Sequence, residues 1–222
     1  MSKRLSVWVG LSLFLGSCSW FSGDRSLSYQ ELQGDFADLF DGASLNNWIV
    51  MGKPEGWQVA NGVIRSEGGK GGEWLRSAKE YDNFILQLEY RVAPGGNSGV
   101  FFRCPEQGNP WETGYECQIS NEQPPRDDLH CTGTLYGLAA ANPRPDESPE
   151  IWHGCKIICK NKRILIFIDG QQTVDAEMDK IEAIKDKPMM GYIGLQDSHT
   201  GEGMWIEYRN IRIRELNPRG RL

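Results

Sequence analysis

The sequence predicts an all-β domain, a sandwich or a barrel, on three observations. From about residue 36 onward it is a series of short segments rich in β-branched and aromatic residues, broken by Gly, Pro and Asn. The best of these segments alternates cleanly: Phe84, Leu86, Leu88, Tyr90 and Val92 face one way, Gln87, Glu89 and Arg91 the other. A period of two with one apolar face is the mark of a half-buried strand. The dipeptides Asn61-Gly62 and Asp169-Gly170 sit between such segments and supply the positive-φ residues that tight hairpins require.

In chain order, residues 57–64 form a hairpin about Asn61-Gly62, and 84–92 a long strand. Residues 100–103 and 115–119 make two more strands. Residues 155–159 and 164–169 are joined around Asn161-Lys162, and Asp169-Gly170 turns into 172–176. Residues 190–195 and 205–213 close the list. Only 176–186 has room for one or two helical turns. Residues 120–150 carry five prolines and many polar side chains, and read as a long excursion over one rim. Loops of that length in a compact domain tend to be functional or disordered.

The first residues have a different character. Lys3 and Arg4 precede an uncharged apolar run over 5–15, which ends in Leu15-Gly16-Ser17-Cys18. A short apolar run behind basic residues is an export signal. It falls short of the roughly 20 residues that a membrane span needs. Leu-Gly-Ser-Cys resembles the lipobox of bacterial lipoproteins, which implies acylation of Cys18. The expected organisation is therefore a signal peptide over 1–17, the lipidated Cys18 with a tether to residue 34, and one domain over 35–217. The protein would be exported and anchored by lipid on the periplasmic side or at the cell surface.

Charge narrows the partners. The chain has 24 Lys and Arg against 30 Asp and Glu and no basic stripe, so nothing electrostatic favours nucleic acid. Export puts Cys104, Cys117, Cys131, Cys155 and Cys159 where disulfides form, and an odd count leaves at least one unpaired. Cys155 and Cys159 share a strand face about 13 Å apart, too far to bridge each other.

Several segments resemble the 3-keto-disaccharide hydrolase domain family. They are Phe40-Asp41-Gly42 with Leu45 and Trp48, the run from Pro94 to Arg103 through Gly96-Asn97-Ser98-Gly99, and Gly114-Tyr115-Glu116-Cys117-Gln118-Ile119. Further along come Thr132-Gly133, Leu135-Tyr136-Gly137-Leu138, Ile193-Gly194-Leu195-Gln196-Asp197 and Arg209-Asn210-Ile211-Arg212-Ile213. The resemblance covers about residues 36–216 and implies a concanavalin A-like jelly roll of two antiparallel sheets. It also implies cleavage of 3-keto-glycosides by abstraction of the carbon-2 proton, elimination and hydration.

On that fold the polar sheet face is a concave, sugar-holding surface. Alternation puts Asn97, Gly99, Phe101 and Arg103 on one face of their strand, and Glu116 and Gln118 on one face of the next. Asn97, Arg103, Glu116 and Gln118 are thereby expected to converge. Glu116 and His199 are the candidate base and acid, and Arg103 the enolate stabiliser. Asn97, Gln118, Tyr136, Gln196 and Asp197 are candidate substrate contacts. A divalent metal held by Glu116, Asp197 or His199 is a further expectation. The family commonly has a His directly after the Asp; here Ser198 intervenes before His199. If the two strands pair as a hairpin, Cys104 and Cys117 share the core side and form the expected disulfide. The alternative function is a noncatalytic carbohydrate-binding or adhesion module. Glu177-Met178-Asp179-Lys180-Ile181-Glu182 fits the carboxylate pattern of laminarinase-type glycosidases, but it lies in a charged stretch without β-rich body and reads as surface.

Overall fold

A computed structural model describes residues 34–216. The expected leader, Cys18 and most of the expected tether lie outside the described residues. The strands are β1 (Ala37–Asp38), β2 (Trp48–Val50), β3 (Trp57–Ala60), β4 (Val63–Glu67), β5 (Trp74–Tyr81), β6 (Phe84–Val92) and β7 (Asn97–Cys104). They continue as β8 (Tyr115–Ser120), β9 (His153–Lys160), β10 (Arg163–Ile168), β11 (Gln171–Glu177), β12 (Gly191–Gln196) and β13 (Trp205–Glu215). One four-residue helix, α1 (Pro110–Thr113), and a few 3-10 turns complete the described residues.

The strands form two antiparallel sheets. The eight-stranded sheet runs β11-β10-β9-β6-β13-β4-β3, with β1 paired to β13. The five-stranded sheet runs β2-β5-β12-β7-β8. This is the jelly-roll sandwich expected. Its core is built as the alternation of β6 dictates, with Phe84, Leu86, Leu88, Tyr90 and Val92 buried and Gln87, Glu89 and Arg91 outward and half-buried. The facing sheet contributes Leu75, Val100, Phe102, Tyr115, Ile119, Ile193 and Leu195. Asn61, Asn161 and Asp169 take positive φ at their turns, and Gly62 and Gly170 follow in the same region.

Three features depart from the sequence reading. β5 carries Arg76, Ser77, Lys79 and Glu80, and these polar residues hide a strand in the middle of the smaller sheet. β2, three residues long, was also not visible. The third departure is a bulge in β7. Tyr192 pairs with Cys104 and Gly194 with Phe101, so two steps along β12 match three along β7. Arg103 absorbs the extra residue at φ 50°. A bulge of one residue reverses the facing of everything beyond it.

Two expectations fall with that bulge. Arg103 does not face the concave surface; it is fully buried at one end of the sandwich interior. Its guanidinium donates to the Asp82 carbonyl (3.0 and 2.7 Å) and the Asn161 carbonyl (3.0 Å), beside the thioethers of Met178 and Met189. Cys104 is turned outward, to pack with Trp74 and Phe101, while Cys117 stays in the main core. With the two thiols on opposite faces, no Cys104–Cys117 bridge can form. All five described cysteines are free and buried, and Cys117 Sγ instead lies 4.0 Å from Cys155 Sγ.

A candidate active site on the concave face

Register defines the outer face of the five-stranded sheet, because paired residues share a face. Asn97 pairs with Ser120, Gly99 with Gln118, and Phe101 with Glu116. Phe101 pairs in turn with Gly194, and Gly194 with Arg76. Uninterrupted alternation before the bulge therefore brings Asn97, Glu116 and Gln118 together, as expected.

Gly99 matters for its missing side chain. A Cβ there would come within 2.2 Å of Glu116 Oε1, so the carboxyl of Glu116 lies flat across the glycine. Glu116 is 4% exposed. Burial pushes its pKa up to about 8, against a lowering pull from Arg126. Gln118 Nε2 donates to Asn97 Oδ1 (3.2 Å). With the amide turned over, its nitrogen donates instead to Glu116 Oε1 (2.9 Å) and the Ser98 carbonyl (3.1 Å).

The long excursion folds back onto this face. Residues 131–139 run along the free edge of β8: the Tyr136 amide donates to the Glu116 carbonyl (3.0 Å) and the Gly133 amide to the Gln118 carbonyl (2.9 Å). Two charged residues that the sequence reading missed arrive with this excursion. Glu122 accepts from Asn97 Nδ2 (2.7 Å), from Ser120 Oγ (3.3 Å) and from Arg126 Nε. Burial alone would raise the Glu122 carboxyl, but the Arg126 bond and charge outweigh it and hold the group below its usual value. Arg126 Nη1 also donates to the Tyr136 hydroxyl (3.4 Å). Tyr136 meets His130 edge-on, 4.9 Å between ring centroids. The cation acting on Glu116 is thus Arg126 rather than Arg103; Arg76, on the same face, pairs with Glu106 and lies over Tyr192. The only sequence signal for Arg126 was its place in an excursion long enough to be functional.

The remaining candidates take separate positions. His199 is exposed, and its amide donates to the Asn97 carbonyl (3.4 Å). Desolvation lowers its pKa, with Glu122 pulling up and Arg126 down. Asp197 Oδ2 accepts the Glu73 amide (2.8 Å), and burial raises its pKa to about 6. That carboxylate closes a loop and does not join Glu116. Gln196 holds Ser98 Oγ (2.8 Å) and the Tyr208 hydroxyl (3.2 Å) through its carbonyl, while its Oε1 is buried without a partner. Glu116, Asp197 and His199 do not gather as a metal-ligating set: among the described residues no three His, Cys, Asp or Glu side chains do. Glu177, Asp179 and Glu182 are exposed around two 3-10 turns, as a surface segment should be.

Fold and site together define the class: a two-sheet jelly roll whose smaller sheet holds, on its outer face, a buried carboxyl of raised pKa beside an Arg–Glu pair. The chain belongs to the 3-keto-alpha-glucoside-1,2-lyase-like domain family, which matches residues 35–214. It is 26% identical over 232 aligned positions to a 3-keto-disaccharide hydrolase of Bacteroides thetaiotaomicron, covering 82% of this chain and 79% of that protein. A crystal structure of a proposed glycosyl hydrolase from Parabacteroides distasonis superposes with a TM-score of 0.72 at 24% identity, over 82% of this chain and 100% of that one. The carbohydrate-binding module CBM66 of Bacillus subtilis shares the fold at a TM-score of 0.55 and 14% identity, over 81% of this chain and 100% of its own.

Proposed function

We propose that the chain is a sugar-acting hydrolase that cleaves the glycosidic bond of 3-keto-glycosides. The observation that carries this reading is Glu116: a carboxyl with a pKa of about 8, desolvated on the concave face and next to Arg126. A ketone at carbon 3 acidifies the hydrogen on carbon 2. The Glu116 carboxylate takes that proton, the C–H electrons form the enolate, and the Arg126 charge opposes the negative charge developing on its oxygen. The enolate electrons then expel the glycosidic oxygen from carbon 1. His199, its pKa held below the usual value, is mainly neutral at pH 7 and donates an N–H to the departing oxygen, which takes its proton from solvent. Water adds back across the double bond, Glu116 returns its proton to carbon 2, and the sum is hydrolysis. Asn97 and Gln118 hold the hydroxyls of the ring.

The test is incubation of the protein with a 3-keto-disaccharide, with and without added divalent metal, followed by measurement of free sugar. Release by the wild type and its loss in Glu116→Gln is the expected result. No release under either condition overturns the enzyme reading. Retained binding of the sugar would then mark a noncatalytic module. The same proposal puts the protein outside the cytoplasm on a lipid at Cys18: palmitate labelling is expected in the natural chain and absent in Cys18→Ser.

A further inference from the structure

We propose that Gln196 and Ser198 hold the water that adds to carbon 1 in the second half of the reaction, on the flank of Glu116 opposite Arg126. The assignment rests on the 3-keto-glycoside reading and names residues for its hydration step.

Register places the pair. Gln196 pairs with Trp74, which packs edge-on against Phe101 (5.9 Å between ring centroids), and Phe101 pairs with Glu116. Gln196 therefore stands on the face of Glu116. Leu195 pairs with Val100, so one step further Gln196 lies beside Gly99, which has Gln118 on its other side. The Glu116 carboxyl lies across that same glycine, and adjacent strands are only about 4.8 Å apart. The main-chain carbonyl of Gln196 is tied to Ser98 Oγ and the Tyr208 hydroxyl, which fixes where its side chain starts. Past the end of β12 the chain keeps to both neighbours: the Asp197 amide donates to the Glu73 carbonyl (2.9 Å) and the His199 amide to the Asn97 carbonyl (3.4 Å). Alternation returns Ser198 to the face of Gln196, while the Asp197 carboxylate is committed to the Glu73 amide.

The chemistry selects water. Gln196 Oε1, Ser198 Oγ and, two residues on, Thr200 Oγ1 are buried without a hydrogen-bond partner. A buried polar atom left unpaired costs about 1–3 kcal/mol, and ordered water is what commonly satisfies such atoms. Ser198 is fully buried, so a sugar ring has no place against its hydroxyl, and two neutral oxygens offer a cation no charge. A water suits both: it accepts from the Ser198 hydroxyl and donates to the Gln196 amide oxygen. One of its lone pairs is left for carbon 1.

Loss of the glycosidic oxygen leaves a double bond between carbons 1 and 2, conjugated with the ketone. The oxygen of the held water bonds to carbon 1 as the double-bond electrons move toward the carbon-3 oxygen, re-forming the enolate that Arg126 opposes. One water proton passes to solvent, replacing the proton that the departing oxygen took, and Glu116 returns its own to carbon 2. A site that cannot hold this water stops at the unsaturated sugar.

The test incubates the natural chain, Gln196→Met and Ser198→Ala with a 3-keto-disaccharide. The leaving sugar, the hydrated 3-keto sugar and the unsaturated sugar, a conjugated enone seen by its ultraviolet absorbance, are quantified separately. The natural chain should give leaving and hydrated sugar in equal amounts. In both variants the hydrated share should fall at least about tenfold, with the unsaturated sugar making up the difference. A merely structural role would slow both steps alike and keep the ratio. An unchanged ratio overturns the water site and leaves the hydrolase reading standing; no release of sugar by the natural chain overturns both. A crystal structure of the natural chain gives a readout without substrate. A water oxygen within about 3.2 Å of both Gln196 Oε1 and Ser198 Oγ is expected, and a direct bond between the two side chains overturns the proposal.

Discussion

Glu116 and Arg126 set the chemistry at the scale of single residues. A carboxyl with a pKa near 8 is largely protonated at pH 6 and becomes a competent base only as pH rises. The rate of 3-keto-disaccharide cleavage should therefore increase about tenfold per pH unit below pH 7 and level off above about 8. Glu116→Gln keeps the shape and removes the proton acceptor, and kcat should fall by about 10² to 10⁴. Arg126→Met should lower kcat by about 10². It should also move the rising limb of the pH profile upward, because Arg126 is the charge that lowers Glu116. A merely structural arginine would not shift that limb. An unchanged limb would remove Arg126 from the enolate role.

At the scale of the strand, β7 shows where sequence reading works and where it stops. Its first half keeps strict alternation, so Asn97 and Gly99, with Glu116 and Gln118 across the register, could be placed on one face from sequence alone. The second half could not, because the left-handed residue of the bulge is Arg103 and no glycine marks it. β5 is hidden by its composition: Arg76 and Ser77 are buried in a segment that reads as polar. Arg126 was hidden for a different reason, since loop residues reach a site through tertiary folding and carry no period. Two substitutions separate the halves of β7. Gly99→Ala places a Cβ where Glu116 Oε1 now lies, 2.2 Å away. The flexible carboxyl can yield, so stability should change by less than about 1 kcal/mol while kcat drops at least about tenfold. Arg103→Ala should do the reverse. It removes the guanidinium donors to the Asp82 and Asn161 carbonyls and opens a cavity, costing about 3 kcal/mol or more, with kcat of the folded protein unchanged. Denaturant melts paired with initial rates distinguish the two patterns. Loss of activity in folded Arg103→Ala would restore that residue to the site.

The whole molecule couples its proton chemistry to its stability. Tyr208 of the larger sheet reaches Ser98 Oγ (2.8 Å) and the Gly99 and Gln196 carbonyls (3.1 and 3.2 Å) of the smaller one, directly behind the site. At the foot of the long excursion, His153 holds Asp169 Oδ2 through Nδ1 (2.7 Å) and the Ser148 carbonyl through Nε2 (2.8 Å). Both partners are acceptors, so both bonds need the doubly protonated imidazolium. The Asp169 bond accordingly raises the His153 pKa. Glu116, at about 8, and Asp197, at about 6, are raised by burial. A group whose pKa is higher folded than unfolded binds its proton more tightly in the native state. Its stabilisation is complete below the unfolded value and is lost as pH climbs through the folded one. The unfolded values are 4.5 for Glu116 and 3.8 for Asp197, and 6.5 for His153. All three groups thus weaken the fold on the way from mildly acidic to alkaline pH. Glu122 and Asp175 have lowered values, and their contribution is lost only on acidification through those values. The thermal midpoint should therefore peak between about pH 4 and 6.5 and decline toward pH 8.5. Glu116→Gln, uncharged throughout, should be more stable than the natural chain at pH 8.5 and flatten the decline. His153→Gln should lose stability mainly at the acidic end. A midpoint that rises between pH 6 and 8.5 would mean that Glu116 ionises freely in the folded protein, and the same melt would then count against its role as a desolvated base.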